Sequence, residues 1–101
     1  MEILDIIKSL SNETRLNILK WLKDPYAHFP EEELSEDTPQ LGVCVSDIAK
    51  KAEMSIPTVS DYLKTMSSAK ILIATRRGQW TYYKRNEQLL QDLAMHIKDV
   101  L

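Results

Sequence analysis

Apolar positions at the start of the chain recur at steps of three and four. Ile3, Ile6, Ile7 and Leu10 share one helical face, with Glu2 and Asp5 in the first turn, where carboxylates complement the helix dipole. Ser11 and Asn12 are both N-cap residues, and Leu16, Leu19, Trp21 and Leu22 continue the helical rhythm until Asp24-Pro25 halts it. The spacing therefore predicts helices over 2–10 and about 12–23. Between Pro25 and Gly42 the rhythm is lost: three prolines and an acidic run predict an insertion loop at 25–42, or a short polar helix around Glu31 to Leu34.

Beyond the insertion, Ser46 can cap a short helix carrying Ile48, Ala49 and Ala52, and Ser55 can cap a longer one only a few residues later. Pro57 falls in the first turn of the longer helix, where a missing N–H costs nothing, and Val59, Leu63 and Met66 form its apolar stripe. A short helix, a tight turn and a longer helix make a helix-turn-helix. Residues 71–75 and 79–84 are rich in β-branched and aromatic side chains and are joined through Arg76-Arg77-Gly78, which predicts a β-hairpin with a basic tip. Asn86 can cap a last helix, whose Leu89, Leu90, Leu93, Ile97, Val100 and Leu101 give a stripe broad enough to want a partner. The expected fold is mainly α with a small β-hairpin: a winged helix-turn-helix of five helices, with the hairpin between the fourth and the last.

Composition narrows this picture. At 101 residues the chain has the size of one domain, 1–101, and two glycines and one phenylalanine speak against a turn-rich β-sandwich. No apolar run reaches the about 18 residues of a membrane span, and MEILDIIKSLS lacks the parts of a signal peptide, so a cytoplasmic protein with no membrane partner is expected. The net charge of −2 hides an asymmetry. Residues 24–40 carry six acids and no lysine or arginine, whereas 46–85 hold eight basic and three acidic residues, a local balance of +5. Such a basic segment suits nucleic acid, because cationic side chains release the counterions condensed on phosphates. No paired-carboxylate cleft, nucleophile with its base or glycine-rich phosphate loop is present, so neither an enzyme nor a cofactor is expected.

Three blocks of sequence resemble the ArsR/SmtB (arsenic repressor) family of winged helix-turn-helix regulators. LSNETRLNIL at 10–19 resembles that family's second-helix opening, VSDIAKKAEMSIPTVSDYLKTM at 45–66 its helix-turn-helix, and RRGQWTYYK at 76–84 its wing. The resemblance implies a repressor that binds double-stranded DNA as a homodimer. The first and last helices would join the protomers, and the two recognition helices would enter successive major grooves of a near-palindromic operator. It also implies release by an inducer, whether small molecule, metal or redox signal. A winged helix used as a protein or RNA interaction module is the alternative, motivated by the acidic insertion and by an acid on the presumed reading face.

On the recognition helix, Ser55, Ile56, Thr58, Ser60, Asp61 and Lys64 are the candidate DNA contacts. Thr58 and Ser60 suit phosphates or base edges, Ile56 a thymine methyl, Lys64 a phosphate and Asp61 a cytosine N4 amine. The bland alternative is a solvated helix face. Arg76 and Arg77 suit phosphates beside the wing, while Trp80, Tyr82 and Tyr83 read as hairpin packing. Ile56 and Asp61 depart from the polar amide and the basic residue or histidine common at those positions. Glu53 stands in the turn where the family often has glycine, and a left-handed glutamate would carry roughly 1 kcal/mol of strain.

Cys44 lies in GVCVSDIA, which resembles a metal-sensing segment, but Ser46 occupies the place of a second cysteine. His28 and His96 do not replace it, and Asp92, His96 and Asp99 do not match the zinc-sensor pattern, so no metal site is expected. Cys44 is then either a small buried hydrophobe or a thiol sensor that needs a second sulfur from elsewhere. Ile3, Ile7, Leu10, Leu93 and Ile97 are the candidate dimer contacts.

Overall fold

The computed structural model describes residues 2–101. Helix α1 (Ile3–Ser9) is followed by α2 (Glu13–Lys23), whose N-cap Asn12 accepts the Arg15 backbone N–H at 3.0 Å. The buried face of α2 is Ile18 and Leu22, while Leu16 is exposed and Leu19 and Trp21 are half-buried. Of the expected α2 stripe, Leu22 is buried and Leu19 and Trp21 pack against the core, whereas Leu16 is exposed and Ile18 takes the buried place.

The 25–42 segment is more ordered than a loop. It holds α3 (Pro25–His28), a 3-10 turn at Glu31–Glu33 and α4 (Thr38–Leu41). Pro25 opens α3 where its absent N–H is harmless, and Phe29 and Leu41 anchor the segment, being 5% and 7% exposed. Phe29 meets Trp21 edge-on at a centroid distance of 6.5 Å. The 3-10 turn agrees with the polar-helix option around Glu31.

A two-residue strand β1 (Val43–Cys44) follows, then α5 (Val45–Ala52) and α6 (Ile56–Ser68). The hairpin is β2 (Leu72–Arg77) and β3 (Trp80–Arg85), and α7 (Glu87–Asp99) closes the described fold. The strands form an antiparallel sheet in the order β1-β3-β2, with Val43 opposite Tyr83 and Cys44 opposite Tyr82. The hairpin is therefore a three-stranded sheet. Gly42 makes the third strand possible: its φ is +90°, and a Cβ there would overlap the Tyr83 carbonyl.

Val59, Leu63 and Met66 of α6 are completely buried against Ile6, Ile18, Ile48, Ile71 and Tyr83. Burying each such side chain stabilises the fold by about 1.5–3 kcal/mol, which fixes the rotation of α6 about its own axis. Asn86 performs two tasks. It caps α7 through the Leu89 N–H at 3.2 Å, and its amide donates to the Lys70 carbonyl at 2.9 Å, tying α7 to the end of α6.

Candidate nucleic-acid interface

The turn between α5 and α6 is built by the backbone. Met54 N–H donates to Ala49 and Glu53 N–H to Lys50, both at 3.2 Å, the two bonds of a Schellman motif. The motif needs a left-handed residue, and Glu53 supplies it at φ 55°, ψ 42°. Glycine holds that conformation without a Cβ clash. Glu53→Gly is therefore expected to raise stability by about 1 kcal/mol in urea titration, and a loss of stability would contradict the strain.

Ser55 then starts α6, accepting the Thr58 N–H at 3.3 Å and donating its hydroxyl proton to Thr58 Oγ1 at 2.9 Å. By contrast Ser46 does not cap α5. Cys44 holds the N-cap position without a side-chain bond, because β1 runs directly into the helix and shifts its start to Val45.

With Val59, Leu63 and Met66 pointing inward, the opposite side of α6 is set by the 100° step per residue. Asp61 and Lys64 stand on it exposed, and Ile56 is 48% exposed at its N-terminal end. Thr58 and Ser60 flank it, half-buried. The same geometry brings in Pro57, Thr65 and Ser68, at i−4, i+4 and i+7 from Asp61, all exposed and all overlooked by a choice of polar residues near the N-terminus. Thr65 Oγ1 donates to the Asp61 carbonyl at 3.1 Å. Lys64, Thr65 and Ser68 also share a shallow cleft with Asp5 and Lys8 of α1, an acid and a base that together add no net charge to it.

In the hairpin, Arg77 pairs with Trp80, so the two-residue turn is Gly78-Gln79 and both arginines lie in β2. The tip itself is not basic. Successive strand residues face opposite ways, so Arg76 and Arg77 present their charges on opposite faces. Arg76 Nε folds back to donate to the Gly78 carbonyl at 3.0 Å. Arg77 Nη1 donates to Asp37 Oδ2 of the acidic insertion at 3.1 Å. Arg85 is occupied by Glu87 through two bonds of 2.9 and 3.1 Å and is mostly buried. Of the aromatics, Tyr83 is buried and Tyr82 half-buried, but Trp80 is exposed opposite Arg77, because the hairpin there extends past the core.

Cys44 is half-buried. Its thiol donates to Asp47 Oδ2 at 3.1 Å and lies 3.1 Å from Ser46 Oγ. Burial, chiefly, pushes its pKa above the ordinary thiol range; hydrogen bonds to Ser46 and to the Asp47 backbone oppose the rise, and the Asp47 carboxylate adds to it. The reactive species is the thiolate, so this environment disfavours a sensing thiol. Alkylation by iodoacetamide at neutral pH is expected to be several-fold slower than for free cysteine, still rising above about pH 8.5. A plateau below that pH would contradict the assignment. Among the described residues, no three His, Cys, Asp or Glu side chains converge in a metal-holding arrangement; His28 and His96 are each half-buried on separate helices.

Of the candidate dimer contacts, Leu93 is buried in the protomer's own core at 8% exposure, and Ile3 and Leu10 pack against that core. Leu93 thus belongs to the protomer's own core, and Ile3 and Leu10 are partly engaged by it. Ile7 and Ile97 do stand free, joined by Leu4 on α1 and Met95 and Val100 on or just after α7. Position explains the split: the stripe of Leu89 and Leu93 continues as Ile97 and Val100, past the point where the core ends.

No protein-family model matches the chain. It is similar to the uncharacterized HTH-type transcriptional regulator YbzH of Bacillus subtilis, at 46% identity over 99 residues and 97% of either chain. It is also similar to the arsenic resistance transcriptional regulator ArsR2 of Pseudomonas putida, at 31% identity over 84% of this chain and 61% of the relative. In fold it resembles the solution NMR structure of the homodimeric winged helix-turn-helix DNA-binding domain of Mb0332 from Mycobacterium bovis, a possible ArsR-family regulator. That likeness has a TM-score of 0.65 at 24% identity and covers 95% of this chain and 75% of the other. With its capped α5–α6 pair, its hairpin wing and these relatives, the chain belongs to the ArsR/SmtB family of winged helix-turn-helix, DNA-binding transcriptional regulators.

Proposed function

We propose that the protein is a homodimeric cytoplasmic repressor that lays one α6 from each protomer into successive major grooves of a near-palindromic operator. The observation that carries this reading is the division of α6. Its apolar stripe is fully buried, which leaves Pro57, Asp61, Lys64, Thr65 and Ser68 no role in the core and turns them outward on a rigidly capped helix. Lys64 meets phosphate, Thr58 and Ser60 reach backbone or base edges from the flanks, and Asp61 accepts from a cytosine amine. Arg76 and Arg77 bind phosphates beside the groove, and Arg77 exchanges Asp37 for a phosphate oxygen as it does so. Ser55 serves through its cap, by fixing the first turn of the reading helix.

The dimer rests on the apolar side chains of Leu4, Ile7, Ile97 and Val100, carried by the first and last helices. A two-fold axis through that surface makes it self-complementary and gives the protein the symmetry of a palindrome. No described helix is long and apolar enough to cross a membrane. Removing the gene is expected to raise transcription from the promoter whose DNA the protein protects from nuclease. A fall in that transcript would identify an activator and overturn the repressor reading.

A further inference from the structure

Arg15 sits on α2, outside both the reading helix and the free apolar face, yet it touches the helices that carry them. Its Nε donates to the Ser9 carbonyl at 2.7 Å and its Nη2 to the Lys8 carbonyl at 3.4 Å, at the C-terminal end of α1. The same guanidinium lies 5.3 Å from the centre of the Tyr62 ring on α6. A cation there meets the negative end of the α1 dipole on one side and the negative face of an aromatic ring on the other. Helix α1 is seven residues long and is seated on the core through Ile6, and Arg15 adds a second hold at its C-terminal end.

We propose that Arg15 is a positioning residue that fixes the dimer helix α1 relative to the reading helix α6, and thereby sets the half-site spacing the dimer accepts. The proposal rests on the dimeric operator reading above. Leu4 and Ile7 of α1 meet the partner, Asp61 and Lys64 of α6 meet DNA, and Arg15 bridges the two helices through the α1 carbonyls and Tyr62. Across a two-fold axis, any tilt of α1 against α6 is doubled in the separation of the two reading helices. DNA resists such an error: one added base pair moves a half-site by about 3.4 Å and turns it by about 34°.

The test measures affinity for the bound operator and for versions lengthened or shortened by one base pair at the centre. It compares wild type with Arg15→Met, Arg15→Lys and Ser11→Ala. Ser11 also caps α1, its hydroxyl donating to the Ile7 carbonyl at 2.9 Å, but it serves as the control without the link to Tyr62. Wild type is expected to favour the native spacing by about tenfold or more, the cost of a mismatched contact or two, and Arg15→Met to flatten that preference to about threefold or less. Arg15→Lys keeps a cation and an N–H donor and should retain most of the preference. Ser11→Ala should retain all of it.

Two results would overturn the proposal: native discrimination in Arg15→Met, or equal flattening in Ser11→Ala, which would reduce Arg15 to ordinary helix stability. If Arg15→Met does not fold, Tyr62→Leu is read in its place, since it removes the ring from under the guanidinium and leaves the bonds of Arg15 to α1: discrimination flattened in Tyr62→Leu but kept in Ser11→Ala supports the role, and discrimination kept in both refutes it. Failure of the underlying reading looks different. There, wild type itself binds a single half-site as tightly as the pair and shows no spacing preference.

Discussion

Replacing Lys64, Arg76 and Arg77 together by glutamine lowers operator affinity by about a thousandfold at 0.1 M salt and cuts the salt dependence sharply. A dimer loses six cations in this variant. Each phosphate contact contributes about 0.9 to the slope of log affinity against log salt, so the slope falls by about 5. Stability should change little, because Lys64, Arg76 and Arg77 are all exposed. The contribution of Arg77 is the smallest of the three. It is engaged with Asp37, an exposed pair of a kind worth about 0.2–1 kcal/mol that a phosphate must replace. Filter binding over a range of salt reads both quantities at once, and an unchanged slope would remove the wing and Lys64 from the interface.

Ile97→Asp converts the dimer to a monomer at micromolar concentration, as read by light scattering. Ile97 is 47% exposed in the protomer, so the change costs the monomer little. At a two-fold interface the substituted side chain occurs twice, and each unpaired carboxylate would have to leave water at several kcal/mol. Operator affinity then falls by at least about a hundredfold, since one protomer holds only one half-site. Leu93→Ala provides the contrast. Leu93 is a core residue here, so its truncation costs the protomer about 2–5 kcal/mol of stability and should act on unfolding before association. A persistent dimer in Ile97→Asp would move the interface away from α7.

How much of this was legible in the sequence follows from the range of the interactions involved. Asn12, Ser55 and Asn86 act as caps as their spacing suggests, since a cap bonds a backbone N–H only three residues away. The α6 stripe and the left-handed Glu53 were legible for the same reason. Strand β1 was not: two residues cannot show alternation, and its partner Tyr83 lies 40 positions from Val43. Nor was the fate of the wing charges. Arg77 is bound by an acid 40 residues earlier, a pairing created by the packing of the insertion beside the sheet.

The residues named on α6 from the sequence cover its outward side incompletely. Taking polar residues near the N-terminus picked out Thr58 and Ser60, which flank the outward side, and omitted Thr65 and Ser68, which lie on it. Rotation about the helix axis was available from Val59, Leu63 and Met66 and would have ordered them. The dimer candidates divided because periodicity identifies an apolar stripe without saying where the core beneath it stops. Leu93 and Ile97 are equivalent in phase and differ only in what lies opposite them.

This acidic chain is proposed to bind duplex DNA through a local basic face. Equilibrium binding to the DNA upstream of its own gene, measured from low to physiological salt, tests it most directly. Affinity is expected to fall steeply with salt, with a log–log slope at least as steep as about −5, and the Lys64, Arg76 and Arg77 variant to lose most of that dependence. Binding that is flat with salt, or equally tight for single-stranded RNA of the same sequence, would contradict it.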